Sequence, residues 1–391
     1  MQGQECDDML IDKSQDLVYV KLDSIDTPKG VLTAWQSVQP IDDQWDDFLA
    51  STPLGHFYQT SMWAQVRILD GWEHLIVLIT LNDGLVGGFQ VLTRSKSYLG
   101  KIGLVLKGPL IVSDDPVIIN FVITTLKKTA RANKIKALIV QPPDRDKEIS
   151  NTLSQNDFSA NHVDYVIRDN TIVIDLRGSE DDIFKRIKTT KRQNINPAIR
   201  KGVSVCQGNK NDIDTFFHFM IETCKRQQVS PSPSNVNFLY TMWDLFSRKN
   251  NIKLFMSVYQ GEIVSCMVVV LFGNTAYIWK FGWSGKYKNY HPNILLYWEI
   301  FKWAKANGFS FADMDAISKG LADKLSKGEK VTEEMSKTYS YFKVGFGGDV
   351  LRLTKGFVYI YNPVVRWAYN FFMPYINSVP FLKRKSLFSG E

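Results

Sequence analysis

One succession of local signals occurs twice in this chain, and that repetition limits the fold more than any single motif. Residues 74–81 are apolar and β-branched, Asn82-Asp83-Gly84 supplies a tight turn, and residues 85–92 return as the second arm of a hairpin. A strand at 101–112 around Lys-Gly-Pro-Leu follows, then an amphipathic helix over 117–132 and a buried-type strand at 136–141 that Pro142-Pro143 stops. The second pass is a hairpin at 254–259 and 263–272 around Gln260-Gly261-Glu262, then an aromatic strand at 276–281. Pro292 opens a helix that carries Ile294, Leu295, Trp298, Phe301 and Ala304 at helical spacing. Gly308 falls where a helix ends, and residues 309–317 read as the closing strand. Hairpin, strand, helix, strand, used twice with little identity, predicts two tandem α/β units with mixed sheets flanked by helices.

The length of 391 residues suits two domains, and 45% apolar content is enough for two cores. Residues 1–30 are acidic and weakly patterned, and are expected to be a tail or an edge strand, with 17–22 the one strand-like stretch. The first unit is placed at 31–176, ending in a strand at 171–176. The second is placed at 177–355, and an aromatic and basic segment runs over 356–391. Within the first unit, 42–50 predicts a short helix with Trp45 and Phe48 on one face. Thr60 or Ser61 is expected to cap the next helix, which buries Met62, Trp63 and Val66.

The net charge of +7 is compatible with a nucleic acid, an anionic membrane or a phosphorylated substrate, and chooses none of them. Four scattered cysteines and five histidines show no metal-ligand spacing, so no metal site and reduced thiols are expected. The polar, acidic first thirty residues do not read as a signal peptide, and no apolar run nears the ~20 residues needed to span a bilayer. A cytoplasmic protein is the expectation.

Several chemistries are excluded by motif. There is no G-x-S-x-G and no Walker A sequence. The element order is similar to the core of the GNAT acyltransferases. Such enzymes hold the pyrophosphate of acyl-CoA on a Gly-rich turn that opens a helix. Here the corresponding places read Lys-Tyr-Lys-Asn-Tyr-His-Pro-Asn at 286–293 and the acidic Val-Ser-Asp-Asp-Pro at 112–116, so neither half is built for CoA. Phe-Lys-Val-Gly-Phe-Gly-Gly at 342–348 reads as a Gly-rich turn between strands.

Between the units, seven Lys or Arg and no acid occur over 185–201. This run is either a solvated helix face or a surface that contacts phosphates. Pro197 is expected to interrupt or begin a helix there.

Taken together, Tyr277 with Ser284 seven residues on, His-Pro-Asn-x-Leu-Leu-Tyr-Trp-Glu at 291–299 and Phe-Lys-x-Gly-Phe-Gly-Gly at 342–348 resemble the FemABX family. Those are the bacterial peptidyltransferases that add amino acids from aminoacyl-tRNA to peptidoglycan precursors, and they carry two GNAT-like domains in tandem. The family's basic segment, K-T-R-x-x-I-R-x-A-x-K-x-G-V, is matched by Lys191-Arg192, Ile195 and residues 198–203, and Pro197 departs from it. No heptad stretch is present for the coiled-coil arm of some members. The resemblance implies that Lys343 stands at the reaction centre, where a developing oxyanion needs a cation. It implies that Arg67, after Phe-x-Gln-x-x-x-Trp, contacts the precursor's phosphates, with Gln59, Trp63 and Phe342 beside the acceptor. Lys188, Lys191, Arg192, Arg200 and Lys201 are the candidate contacts to tRNA phosphates. Asp313 or Asp315, at the end of the second-unit strand, is a candidate base for the attacking amine, or merely a cap of the next turn. Tyr287, Lys288 and Asn293 are candidates for holding the stem peptide.

The resemblance therefore implies aminoacyl transfer to the stem peptide of a UDP- or lipid-linked muramyl precursor by a monomer. Aminoacyl-tRNA is the co-substrate, and no cofactor is expected. An acyl-CoA-dependent acyltransferase acting on a polysaccharide or lipid-linked sugar is the alternative, and a non-catalytic binder of nucleic acid or membrane is the third reading. The aromatic segment 357–382, with basic residues behind it, suits either the face of an anionic membrane or a helix packed on the second domain.

Overall fold

The computed structural model describes residues 18–96, 100–144, 146–161 and 169–378. In chain order the first stretch forms β1 (Tyr19–Thr27), β2 (Gly30–Ser37), α1 (Asp43–Ser51), α2 (Ser61–Ile68), β3 (Glu73–Leu81), β4 (Gly84–Lys96), β5 (Gly100–Leu106), β6 (Leu110–Ile111), α3 (Pro116–Ala132), β7 (Ile135–Gln141), α4 (Lys147–Gln155) and β8 (Ser159–Ala160). Then come β9 (Asn170–Asp175), α5 (Glu180–Arg186), α6 (Thr189–Arg200), β10 (Val203–Gly208), α7 (Ile213–Gln227), α8 (Val236–Phe246), β11 (Ile252–Tyr259), β12 (Glu262–Phe272), β13 (Thr275–Trp283), α9 (Pro292–Ala306) and β14 (Phe311–Asp313). The chain closes with α10 (Lys319–Ser326), α11 (Glu333–Ser336), α12 (Tyr339–Val344), β15 (Asp349–Arg352), β16 (Phe357–Ile360) and α13 (Pro363–Ser378).

Helix starts follow the side chains that satisfy their free N–H groups. Asp42 accepts from the Trp45 N–H at α1, Thr60 from the Trp63 N–H at α2, and Asp115 from the Val117 N–H ahead of Pro116 at α3.

Two units result. Residues up to Arg168 and from Thr354 onward make the first, and Asp169–Leu353 make the second. The first sheet runs β1-β2-β3-β4-β5-β7-β16-β8, with β6 beside β4. The second runs β10-β11-β12-β13-β14-β9-β15. Each holds one parallel pair reached through a helix: β5 with β7 through α3, and β13 with β14 through α9. The succession expected twice is present twice. In the first unit Val77, Phe89, Val91, Val122, Leu126 and Leu138 are buried together between sheet and α3. In the second, Ile174, Met267, Ile278, Leu296, Phe301 and Phe346 do the same around α9.

Several boundaries differ from the sequence reading. The strand expected at 171–176 does not close the first unit. As β9 it pairs with β14 (Ala312↔Ile174) and β15 (Val350↔Ile172) in the second sheet. The segment from 356 onward is not an appendage of the second unit, because β16 pairs with β7 (Val358↔Ile139) in the first sheet. Residues 19–27 form an edge strand paired with β2, and residues 1–17 lie outside the described residues. The strand read at 101–112 breaks into β5 and β6 where Lys107 adopts φ +56° before a cis Gly108-Pro109 bond. The strand read at 309–317 is only Phe311–Asp313, because Asp315 turns out of it at φ +61°. Pro197 neither starts nor ends a helix: α6 runs through it, and the Lys201 N–H still reaches the Pro197 carbonyl at 3.0 Å. An interior Pro gives up its own N–H bond and crowds the carbonyl four residues earlier, a cost that burial of Ile195 and Ala198 offsets here.

Candidate functional site

β14 covers β13 only from Thr275↔Phe311 to Tyr277↔Asp313, and β13 then continues to Trp283. The two parallel strands part at their carboxyl ends, the place where α/β sheets hold ligands. Asp313 stands at this divergence. Its carboxylate accepts from the Thr171 hydroxyl and, at 2.7 Å, from the Asp315 N–H. Lys343 arrives from the last turn of α12. Its residues 342–344 are thus helical, and the turn expected between strands is confined to 345–348. Lys343 is only 6% exposed. Its ammonium donates to the Ala316 carbonyl at 3.0 Å and lies 5.1 Å from the Tyr339 ring. Tyr339 shares a 2.6 Å hydrogen bond with Tyr297 of α9. Burial pushes both phenols above their ordinary range, and the charge of Asp315 adds to this. The structure sets Lys343 on the carbonyl that follows the Asp313–Asp315 turn, and adds Thr171, Tyr297 and Tyr339, which the sequence did not single out. A buried cation at a strand divergence can stabilise an oxyanion, and the carboxylates of the turn there can accept a proton.

The basic run is divided by the structure. Lys188 is exposed, with its ammonium 4.8 Å from the Tyr341 ring. Arg192 is turned back onto the end of α5, donating to the Lys185 carbonyl at 3.0 Å. Arg200 and Lys201 are exposed, and Lys201 reaches the Asn289 carbonyl at 3.2 Å. Lys191 departs from the expectation of a solvent-facing phosphate contact. Its ammonium lies 3.3 Å from the centroid of Phe342 and 4.9 Å from that of Phe346. Burial, and then the neighbouring Lys188, push its amine down to about 7. Gly345 makes this possible, since a Cβ there would stand 2.1 Å from Lys191 Cε. Phe342 is correspondingly covered by Lys191 and stacked on Tyr339 at 6.0 Å.

The loop before α9 has Tyr287 and His291 at φ +56° and +57°. Tyr287 is held by the Tyr259 ring at 4.9 Å and by Glu262 at 3.4 Å, while Lys288 is exposed. Asn293, the second residue of α9, carries a buried Oδ1 with no hydrogen-bond partner among the described residues. His291 is pushed below its ordinary pKa by burial and by Lys201 and Lys191, so a cationic neighbourhood surrounds the start of α9.

Gln59, Trp63 and Arg67 belong to the first unit and form a separate group. Gln59 is 1% exposed and braces two strands: its amide donates to the Leu106 carbonyl at 2.7 Å and its oxygen accepts from the Gln90 N–H at 2.8 Å. Trp63 is 3% exposed and packs edge-on against Phe57. Substrate contact by these two is therefore not supported, since the signature that drew attention to them is a packing signature. Arg67 is different. Its guanidinium lies 5.7 Å from the Trp63 ring and 5.5 Å from the Trp72 ring, with Asp70 at 3.5 Å. Burial lowers its pKa, and Arg94 also sits over Trp72. Neither Trp72 nor Arg94 lies in a motif that sequence could single out.

Among the described residues, no group of three or more His, Cys, Asp or Glu stands close enough to hold a metal ion. No described helix is long and apolar enough to cross a membrane.

Comparison with known proteins fixes the lineage. The sequence model of the FemAB family matches residues 41–258, more than half of the chain. This chain belongs to the FemAB family. The match ends inside β11, so Asp313, Asp315 and Lys343 lie beyond it. Two relatives are the Lipid II:glycine glycyltransferases of Staphylococcus haemolyticus (strain JCSC1435), 21% identical over 225 residues, and of Staphylococcus aureus (strain MRSA252), 19% identical over 225 residues. In both cases 55% of this chain aligns to 53% of the relative, so the chain spans about half the length of the curated relatives it matches. The crystal structure of FemX superposes with a TM-score of 0.72 at 14% identity, covering 86% of this chain and 99% of that one. A tandem GNAT protein from the clavulanic acid biosynthesis pathway superposes with a TM-score of 0.52 at 9% identity, covering 85% and 99%. These likenesses establish the fold as two GNAT-like units in tandem. Among the described residues there is no coiled-coil arm.

Proposed function

We propose that the chain is an aminoacyltransferase that moves an amino acid from aminoacyl-tRNA to the stem peptide of a lipid- or UDP-linked peptidoglycan precursor. The observation that carries this reading is the buried Lys343 ammonium held on the carbonyl of Ala316, directly after the Asp313–Asp315 turn where β13 and β14 part, in a chain of the FemAB family. The relatives named for glycyl transfer to lipid II support the substrate class. In the reaction the acceptor's amine forms a bond to the carbonyl carbon of the aminoacyl ester, the carbon–oxygen bond to the tRNA ribose breaks, and the ribose hydroxyl leaves. Lys343 offsets the charge on the tetrahedral oxygen. A carboxylate of the Asp313–Asp315 turn takes the proton that the amine sheds, and the departing ribose oxygen is protonated in turn. Lys188, Arg200 and Lys201, exposed on or beside α6, are the tRNA-phosphate contacts in this reading. Arg67 contacts the precursor's phosphates, while Asn293 Oδ1, Tyr287 and Lys288 are offered to the stem peptide.

The test is thermal stability with a UDP-muramyl pentapeptide and with acyl-CoA, followed by transfer from labelled aminoacyl-tRNA to the pentapeptide and to lipid II. The pentapeptide is expected to raise the melting midpoint by mass action, and label is expected in the acceptor. A midpoint shift with acyl-CoA alone, and no label transfer, overturns the proposal.

A further inference from the structure

The first unit carries a basic cavity that the transfer reading does not use. It has a volume of about 480 Å³ and is lined by Lys127, Lys128, Arg131, Lys134 and Lys136, with no acid in its wall. Lys128 is paired at its rim with Asp23 at 2.6 Å. Lys127 is tied to the Asn156 carbonyl at 2.9 Å. Arg131, Lys134 and Lys136 are exposed. Tyr359 of β16 forms one wall, and two cations meet its ring: Lys127 at 4.4 Å, and Arg366 of α13 at 5.0 Å. That ring joins the cavity to α13. Arg366 also keeps a buried Nη1 without a hydrogen-bond partner among the described residues.

α13 presents its other side to water. Val364, Val365, Trp367, Phe371 and Phe372 are 71%, 52%, 63%, 51% and 51% exposed. At 3.6 residues per turn they fall on an arc of about 160°, opposite Arg366. Trp367 and Phe371 stack on each other 5.6 Å apart. So much apolar and aromatic surface on one helix face is rare on a soluble monomer. From Asn362 to Gly390 the sequence contains no acid, and Lys383, Arg384 and Lys385 follow the helix, outside the described residues.

We propose that the cavity at the end of α3 and the apolar face of α13 form one surface that seats the first unit on an anionic phospholipid bilayer. The aromatic and valine face enters the boundary between headgroups and acyl chains, and the cationic cavity takes lipid phosphates. An RNA backbone would suit the cations, but it gives the exposed valines nothing to bind. The surface stands whether or not the transfer reading holds, and the assay below contains neither donor nor acceptor, so the two readings fail separately.

The experiment is co-flotation of the full chain with vesicles of phosphatidylcholine containing phosphatidylglycerol, and with phosphatidylcholine alone, at low and high salt. The expected result is binding to the anionic vesicles that weakens as salt rises. The triple variant Arg131→Gln/Lys134→Asn/Lys136→Gln is expected to lower the partition coefficient by about a hundredfold. Asn is chosen at 134 because that residue has φ +59° and Asn tolerates it. The variant Trp367→Ser/Phe371→Ser is expected to lose binding at every salt concentration, along with the blue shift of tryptophan emission on vesicle addition. Unchanged near-UV circular dichroism shows that each variant is folded. No binding, equal binding to both vesicle types, or tRNA retention that the triple variant abolishes while vesicles are ignored would each overturn the proposal.

Discussion

Lys191 makes the fold less stable than the same fold would be without its charge, and the size of the effect follows from the geometry. Its amine is pushed from the ordinary 10.5 to about 7 by burial against Phe342 and Phe346 and by Lys188. A base with a depressed folded pKa binds fewer protons folded than unfolded between those two values, so stability must rise with pH through that window. At pH 7 the cost is about 4 kcal/mol, and about 2 kcal/mol of it is recovered by pH 9. Against this, an ammonium on the face of a ring gains about 2 kcal/mol when desolvated. Lys191→Met keeps the stem and removes the charge. It should stabilise the second unit by about 2 kcal/mol at pH 7 and flatten the rise between pH 7 and 9. Cys206, Cys224 and Cys266 are pushed above their ordinary range by burial, so the unfolded thiols ionise first and stability falls with pH from about pH 8 upward; this opposes the Lys191 effect equally in parent and variant, and the difference between the two isolates Lys191. Urea unfolding at pH 6, 7, 8 and 9, monitored by tryptophan fluorescence, reads both quantities. A variant no more stable than the parent at pH 7, with the same rise towards pH 9, refutes the argument that Lys191 is buried at a cost.

Three further outcomes are expected. Gly345→Ala places a Cβ 2.1 Å from Lys191 Cε and should cost roughly 1–3 kcal/mol, while in the Lys191→Ala background the cost should largely vanish; denaturant titration of the four-member cycle measures the coupling. Tyr339→Phe removes one member of the buried phenol pair and leaves the Tyr297 hydroxyl unsatisfied, which should cost about 1–3 kcal/mol in melting experiments, whereas changing both to Phe should cost less than the sum. Lys343→Gln should lower the transfer rate by about 10²–10³ if its cation meets the oxyanion, with KM for the pentapeptide little changed; a fall in binding alone would reassign it to the acceptor site.

What the sequence disclosed and what it withheld divide along a physical line. The hairpins, α3 and α9 were legible because alternation, helical spacing and the start at Pro292 are local signals. The residence of β9 in the second sheet was not, because a strand's period states its faces and never its partners. Asp313, Asp315 and Lys343 could be singled out, but Tyr297 and Tyr339 look like ordinary helix aromatics until their hydroxyls meet. The basic run was read as one surface. Only packing shows that Lys191 turns inward over Gly345 while Lys188 and Lys201 stay outside. Gln59 reads as a polar ligand and is a brace between strands, since burial is a property of neighbours.

The placement of β16 has a consequence for how this chain matures. The first sheet is interrupted after β8 by the whole of Asp169–Leu353 and is resumed only by β16, which fits between β7 and β8. During synthesis the second unit is complete before the ribosome has delivered that missing strand. Its own ends already meet, with Asn170 opposite Arg352 and the Leu353 N–H bonded to the Asp169 carbonyl at 3.0 Å. The second unit can therefore close on itself as an autonomous insertion, while the first waits with an open slot beside β7. Release of the chain short of residue 357 would leave a finished inner domain carried by an unfinished outer one, with an exposed strand edge that invites aggregation.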